Sequence, residues 1–407
     1  MARFKGAAAL PPGMIVPREK QLGLFDRLEE LRARSLEVDP AGPAIRLFWI
    51  VLTLSGAGLL VQASHAATTQ APDAFWSGLW SQVFFRAAAL GALLMGFRFG
   101  PAGVRRFLPF LVVLSLVALA LVYVPGIPSA VNGSRRWLPL PGGLTFQPSE
   151  LARIVMILWV ADRCIRLGPD VTDWKRGVWP MLRLGLVAFT LIVCETDLGG
   201  ALLFLLCFLI TMWSGGARLS HVSGPFVFAV GAALLALLAG VSYVQHRLEM
   251  WLGRAQNDQV LRSTEAIASG DWFGVGLGQG LFRNAGVPYL ESDYVFALVG
   301  EELGYLGQLG LIALFLSFLW YGLRLVLSIH DRFAALCCFG LVLSVALQAM
   351  VHLQVVSGLA PPKGMTLPFV SHGGTSLVVS SLAVGLALGA ARSRKSPHPS
   401  VPDSQAA

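Results

Sequence analysis

Ten stretches of the chain are apolar over lengths that suit a membrane-crossing helix: 45–63, 81–98, 106–124, 149–166, 180–195, 198–215, 222–244, 294–325, 332–357 and 368–391. A spanning helix needs about 20 mostly apolar residues, each rising about 1.5 Å. The pattern predicts an all-α integral membrane protein of about ten transmembrane helices. The eighth run is long enough to include an interfacial extension. Before it lies the segment 245–293, long for a loop in a compact protein. Trp251, Leu252, Trp272, Phe273, Leu277, Leu281 and Phe282 make it too apolar for disorder. It is expected to pack on the membrane domain or lie in the interface.

The charges between the runs set an orientation. The loop from Ser64 to Trp80 holds no Lys or Arg. Arg98, Arg105 and Arg106 flank one turn, Arg163, Arg166, Lys175 and Arg176 a second, and Arg324 and Arg332 a third. Arg392, Arg394 and Lys395 follow the last run. By the positive-inside rule the cationic turns face the cytoplasm and the Ser64–Trp80 loop faces out. Residues 1–43 then form a cytoplasmic N-terminal tail, 44–392 a polytopic membrane domain, and 393–407 a cytoplasmic C-terminal tail. The segment 245–293 becomes a large extracytoplasmic loop between helices 7 and 8. No short apolar core of a cleavable signal opens the sequence, so the expected location is the cytoplasmic (inner) membrane, multi-pass.

The cations that break the rule carry information. Arg135, Arg136, Arg247, Arg254, Arg262, Arg283 and Lys363 all fall on the outer side. An anionic ligand there would favour them. Plain solvation, or pairing with Glu249, Asp258 and Glu265, is the alternative.

Composition narrows the class further. Only 13% of residues are charged and 55% are hydrophobic, against about a quarter charged in soluble domains. The net charge of +8 does not imply nucleic acid, because no basic stripe alternates with aromatics. The five cysteines sit in or beside apolar runs without metal-ligand spacing. They read as small buried hydrophobes.

Single residues then suggest chemistry. Asp293 opens the eighth run and puts a carboxylate where a membrane helix meets water, a costly place to desolvate one. It reads as a reactive group, with a helix cap as the competing role. Gly274, Gly276, Gly278 and Gly280 alternate, without the strand and distal acid of a dinucleotide turn. They are expected to allow tight turns or a close approach to another segment. Gln147-Pro148-Ser149-Glu150 reads as a helix start. Glu150 and Arg153 share a face and are expected to pair and point into the bundle. Glu195 and Asp197 interrupt two runs at a turn. Glu301 lies about 12 Å deeper than Asp293 and rotated by about 80°, where it tunes Asp293 or fixes packing. Lys363 follows Pro361 and Pro362 and should be rigidly held. His352 and His372 read as packed or hydrogen-bonded groups.

Four blocks carry a resemblance. They are Asn132-Gly133-Ser134-Arg135-Arg136-Trp137-Leu138 with Phe146-Gln147-Pro148-Ser149-Glu150; Glu195-Thr196-Asp197-Leu198-Gly199; Gly270 to Gly280 with Asp293 to Gly304; and Pro362-Lys363-Gly364-Met365-Thr366-Leu367-Pro368-Phe369-Val370-Ser371 with Gly373-Gly374. The chain resembles the SEDS family (shape, elongation, division and sporulation), and its FtsW and sporulation branch more than RodA.

The resemblance implies a peptidoglycan glycosyltransferase that polymerises lipid II, a disaccharide-pentapeptide on undecaprenyl pyrophosphate. The product would be β-1,4-linked glycan at the outer face, for division. The family's essential aspartate falls on Asp293 as catalytic base. Arg135 and Arg136 become candidates for the pyrophosphate, and Trp137 for stacking on a sugar or anchoring at the interface. Arg153, Lys363 and Ser371 join the substrate-binding set, with Glu150, Asp197 and Glu301 in support. The resemblance assigns no metal ligands, while Mg or Mn is a possible aid to the leaving pyrophosphate. The implied partners are a class B penicillin-binding protein transpeptidase, other division or elongation proteins and membrane lipids, with no nucleic acid. This sequence departs from the family pattern at Arg153, where Lys is usual, at His372, where Tyr is usual, and at His352, where Asn is common. A lipid II flippase or a non-catalytic division scaffold are the alternatives. A transporter predicts ionisable groups through the membrane depth and often an inverted repeat, whereas the sequence displays no repeat and its polar groups crowd at the outside, which favours the enzyme.

Overall fold

The computed structural model describes residues 39–69, 72–126, 129–131, 134–141, 144–252, 258–281 and 290–392. Most of the N-terminal tail, the C-terminal tail from 393, and Arg254, Phe282 and Arg283 lie outside the described residues. Each of the ten apolar runs falls on a helix. In chain order these are α1 (Ala41–Thr69), α2 (Pro72–Arg105), α3 (Leu108–Leu121), α4 (Pro148–Leu167), α5 (Trp179–Cys194), α6 (Leu198–Ser214) and α7 (Leu219–Leu238). After the long loop come α11 (Val295–Ser328), α12 (Arg332–Val356) and α13 (Gly374–Ala390). Five are long and apolar enough to cross a membrane by length and composition: α1, α2, α5 with its preceding turn, α11 and α12. Helices α3, α6 and α13, and the part Leu219–Ala232 of α7, are apolar over shorter lengths. Helix α4 buries Glu150's neighbours Ser149 and Arg153 as well as Asp162 in the bundle.

Local sequence sets the helix ends. Proline opens α3, α4 and α5 where its missing N–H costs nothing. Asp331 caps α12 by accepting from the Ala334 N–H at 2.9 Å. Small residues let α2 and α13 touch along their backbones. A Cβ at Gly96 would lie 2.8 Å from Leu382 O, and one at Gly389 2.7 Å from Gly100 Cα. Such contacts replace the hydrophobic effect that lipid-embedded helices lack.

Two features exceed the helical reading. The segment between α3 and α4 forms a small antiparallel sheet, β1 (Ser129–Val131), β2 (Ser134–Pro139) and β3 (Thr145–Phe146). Leu138 pairs with Phe146. These strands are too short, and too interrupted by Gly and Pro, for a period of two to stand out. The long loop is also structured, with α8 (Ser242–Trp251), α9 (Asp258–Ser269) and α10 (Leu290–Asp293). As expected of an apolar loop, it packs on the membrane domain. Helix α9 lies on α11 and buries Ala266, and the Trp251 indole donates to Gly358 O at 2.9 Å. Helix α11 is not continuous: Gly304 interrupts it with φ 66° and ψ −169°.

Candidate active site

At one end of the bundle β2, the starts of α4 and α6, α10 and the loop between α12 and α13 enclose a cavity of about 560 Å³. Seven of the expected residues line it: Arg136, Trp137, Glu150, Arg153, Asp197, Asp293 and Lys363. They come from four separate parts of the chain, and the fold brings them together. Arg135 sits on β2, but its side chain lies outside the described residues.

Asp197 organises the cations. It ends the turn after α5, where Thr196 takes a left-handed φ of 61°. Asp197 then caps α6, its Oδ1 accepting from the Gly200 N–H at 2.9 Å. The same carboxylate meets Lys363 Nζ at 3.2 Å and an Arg136 guanidinium nitrogen at 3.7 Å. Burial alone would raise the Asp197 pKa, but Lys363, Arg136 and the Gly200 N–H outweigh it and hold the carboxyl below the usual range. Two residues away, burial and the Asp197 charge push Glu195 up to about 8 against the pull of Arg136. Gly199 leaves the room that Lys363 needs, because a Cβ there would lie 2.7 Å from Nζ. Arg247 donates to Pro362 O at 2.6 Å and so fixes the turn that carries Lys363. The Arg136 guanidinium lies over the Trp137 ring at 4.4 Å, and its buried Nε has no hydrogen-bond partner.

Asp293 sits at the end of α10. The N-cap of α11 is Tyr294, without a side-chain cap bond, so the competing cap role for Asp293 is not what the structure displays. Its segment is held from three sides. Gln62 Nε2 donates to Glu291 O at 2.7 Å, the His372 N–H donates to the same oxygen at 3.0 Å, and Ser371 Oγ donates to Ser292 O at 2.6 Å. Gly364 allows the carboxylate to lie against the Lys363 turn, since a Cβ there would fall 2.6 Å from Asp293 Oδ2. Burial raises the Asp293 pKa and Glu291 adds to it, while Arg136, the Ser292 bond and Lys363 pull it back without cancelling the shift.

Deeper in the cavity Glu150 and Arg153 attract one another, as expected, and each also takes a hydrogen-bond partner from another helix. Arg153 Nη2 donates to Gln348 Oε1 at 2.5 Å, and Glu150 is hydrogen-bonded to Ser376. Gln348 passes the chain on, donating to Thr366 O at 3.1 Å and Ser376 Oγ at 3.2 Å. Glu150 Oε2 and Arg153 Nε remain buried without hydrogen-bond partners. Buried polar atoms without partners are costly. Gln348 was not among the expected residues, although an amide inside an apolar run, shared there only with Gln354, was a visible signal.

Two expected residues sit elsewhere. Ser371 lies outside the cavity lining: its buried hydroxyl accepts from the Leu367 N–H at 2.8 Å while donating to Ser292 O. The block suggested a ligand contact, yet the side chain is turned inward to clamp two loops. Glu301 is also outside the lining, buried where a Cβ at Gly280 would lie 2.7 Å from its carboxylate. The histidines are packed as expected: His352 Nδ1 bonds Met365 O at 2.6 Å, and His372 contacts the Gln82 amide. Among the described residues no three His, Cys, Asp or Glu side chains form a metal-binding group. Asp197, one of three carboxylates lining the cavity, is paired with Lys363 and Arg136.

The family profile described as "Cell cycle protein", for FtsW, RodA and SpoVE, matches residues 44–396. The chain belongs to this family. A probable peptidoglycan glycosyltransferase FtsW of Alkalilimnicola ehrlichii is 34% identical over 353 residues, covering 84% of this chain and 88% of the relative. The stage V sporulation protein E of Bacillus subtilis is 32% identical over 294 residues, covering 71% of this chain and 80% of the relative. Among solved structures, a chain from work on polymerization and crosslinking by a peptidoglycan synthase complex superposes with a TM-score of 0.69 at 25% identity, covering 85% of this chain and 96% of that one. The helical membrane fold is therefore that of the FtsW/RodA/SpoVE family.

Proposed function

We propose that this chain is a peptidoglycan glycosyltransferase that polymerises lipid II at the outer face of the cytoplasmic membrane. The observation that carries the reading is Asp293 facing Arg136 and Lys363 across one cavity. The family membership and the printed names of the relatives support it.

The geometry suits one displacement with inversion. The donor sugar is α-linked to pyrophosphate, and the product bond is β. Asp293 takes the proton from the acceptor hydroxyl. That oxygen attacks the anomeric carbon, and the bond to pyrophosphate breaks with its electron pair leaving on the phosphate oxygen. A carboxyl raised above its ordinary value is a stronger base near neutral pH than an exposed Asp. Arg136 and Lys363 stabilise the charge that grows on the leaving group. Arg153 and Glu150, each with an unfilled polar atom, orient sugar hydroxyls. Trp137 supplies a ring face at the rim. The cavity volume suits the reacting sugars and phosphates, with the polyprenyl tail in lipid beside it.

Orientation follows the charges. Arg105, Arg106, Arg163, Arg166 and Arg392 support an orientation with the opposite end of the bundle, and both termini, towards the cytoplasm. A class B transpeptidase is the proposed partner, supported by the likeness to a chain of a peptidoglycan synthase complex. A role in division is favoured by the FtsW relatives.

The test uses purified protein with its transpeptidase partner and labelled lipid II. Wild type should build glycan ladders on a gel and Asp293→Ala should not. Equal ladders from both would move the base elsewhere, and none from wild type would sink the polymerase reading.

A further inference from the structure

Helix α11 starts two residues after Asp293, which ends α10, and breaks at Gly304. In an unbroken helix the N–H of residue i donates to the carbonyl of i−4. Tyr305 would then donate to Glu301 O, and Leu306 to Glu302 O. At the Gly304 break these amides find acceptors in the loop. The Tyr305 N–H donates to Asp271 O at 2.8 Å and the Leu306 N–H to Trp272 O at 3.2 Å. The two carbonyls accept from the loop, Glu301 O from the Val275 N–H at 2.9 Å and Glu302 O from the Gly276 N–H at 3.1 Å. A stretch of loop is spliced into the helix ladder, and all four backbone groups are satisfied.

The glycines make the splice fit. A Cβ at Gly270 would collide with Gly300 O, one at Gly274 with Glu302 O, and one at Gly304 with Gly274 N. Gly274 and Gly276 also hold φ of 79° and 101°, a region that penalises any side chain. On the far face Ser64 of α1 donates to the Glu302 carboxylate at 2.7 Å. Two residues along the same helix, Gln62 holds Glu291 O. The half-helix 295–303 is thus a separate part, held at its foot by the loop and Ser64 and at its head by Gln62, Ser371 and His372.

We propose that the turn 270–276, with Gly270 and Gly274 as positioning residues, sets the depth and rotation of the half-helix and thereby aims the Asp293 carboxylate into the cavity. This rests on Asp293 being the base. The turn touches no cavity wall itself. Its contribution is geometric, and misplacing a catalytic group by about 1 Å costs about 100-fold in rate.

Two measurements test this on the full chain with its transpeptidase partner. In Gly274→Ala, kcat on lipid II should fall about 100-fold, with KM held within about twofold. Gly310→Ala lies on the same helix beyond the break, where an added Cβ meets nothing within 4 Å, and should match wild type. Hydrogen exchange on the wild type should find the amides of Tyr305, Leu306, Val275 and Gly276 as protected as those of the neighbouring helix. A Gly274→Ala variant with wild-type kcat overturns the proposal. If that variant does not fold, the exchange result decides, and rapid exchange at these four amides overturns it. Wild-type protein without any glycan product would instead sink the catalytic reading, and that outcome is separate from the exchange result.

Discussion

Each end of the bundle carries one aspartate between two cations, and the two clusters differ in closeness and exposure. At the end opposite the cavity Asp162 accepts from Arg105 Nε at 2.6 Å and from Arg166 Nε at 2.7 Å. At the cavity Asp197 meets Lys363 at 3.2 Å and Arg136 at 3.7 Å. The tight cluster is also the wetter one: the side chains of Arg105 and Arg166 are 35% and 56% exposed, against 21% for Arg136 and 17% for Lys363. Stability alone would call for the opposite, because buried charges need the best geometry to repay desolvation. The cavity cluster leaves Arg136 Nε without a partner. Cations that are dry, loosely held and incompletely bonded are poor structural elements and good anion receivers. Asp162 ties helices together, and under the proposed function Asp197 presents cations to a ligand.

The largest effect expected is at Asp293. Asp293→Asn keeps the shape and removes the base, and should lower turnover by about 10²–10⁴-fold while leaving the thermal midpoint at or above that of wild type. Glycan formation at equal folded protein checks it. Next come the cations. Arg136→Ala and Lys363→Ala should each lower kcat/KM by about 10²–10³-fold, whereas Arg105→Ala should leave kcat/KM per folded molecule unchanged. If Arg105→Ala costs as much as Arg136→Ala, the contrast between the clusters is broken.

Acidity sharpens the same contrast. The Asp293 pKa is raised, so its carboxylate is lost, as pH falls, earlier than an ordinary Asp of pKa about 3.9. The acid limb of kcat/KM should therefore sit above that value. The Asp197 pKa is depressed, so the stability its ionised form contributes is fully present above the ordinary value and fades only as pH falls through the lower folded value. Activity should fail on acidification before stability does, which paired pH–rate and pH–unfolding curves would reveal. The smallest effect is at Asp162. Asp162→Asn should cost about 1–3 kcal/mol, because Arg166 can turn to water.

Most of the frame was legible in the sequence because helices announce themselves by long apolar runs. Asp293, Arg136 and Lys363 stood out as charges where topology and hydropathy disfavour them. What stayed hidden depends on side-chain direction and on contacts distant in sequence. Ser371 lies in a block that suggested a ligand contact, yet its hydroxyl faces Ser292. Glu150 and Arg153 share a helix face and attract one another as expected, but the hydrogen bonds that Gln348 and Ser376 bring from α12 and α13 were not visible. The alternating glycines were expected to permit a close approach, and Gly274 does lie against Glu302 O. That Val275 and Gly276 enter the ladder of α11 depends on the break at Gly304, which nothing distinguishes in sequence from Gly300, Gly307 and Gly310 in the same run.

The most direct test sets Asp293→Asn beside Asp162→Asn, at matched folded protein, on labelled lipid II with the transpeptidase partner. The prediction is no glycan ladder from Asp293→Asn, and a full ladder at a lowered thermal midpoint from Asp162→Asn. Ladders from Asp293→Asn, or a loss in Asp162→Asn beyond its loss of folded protein, would contradict the account.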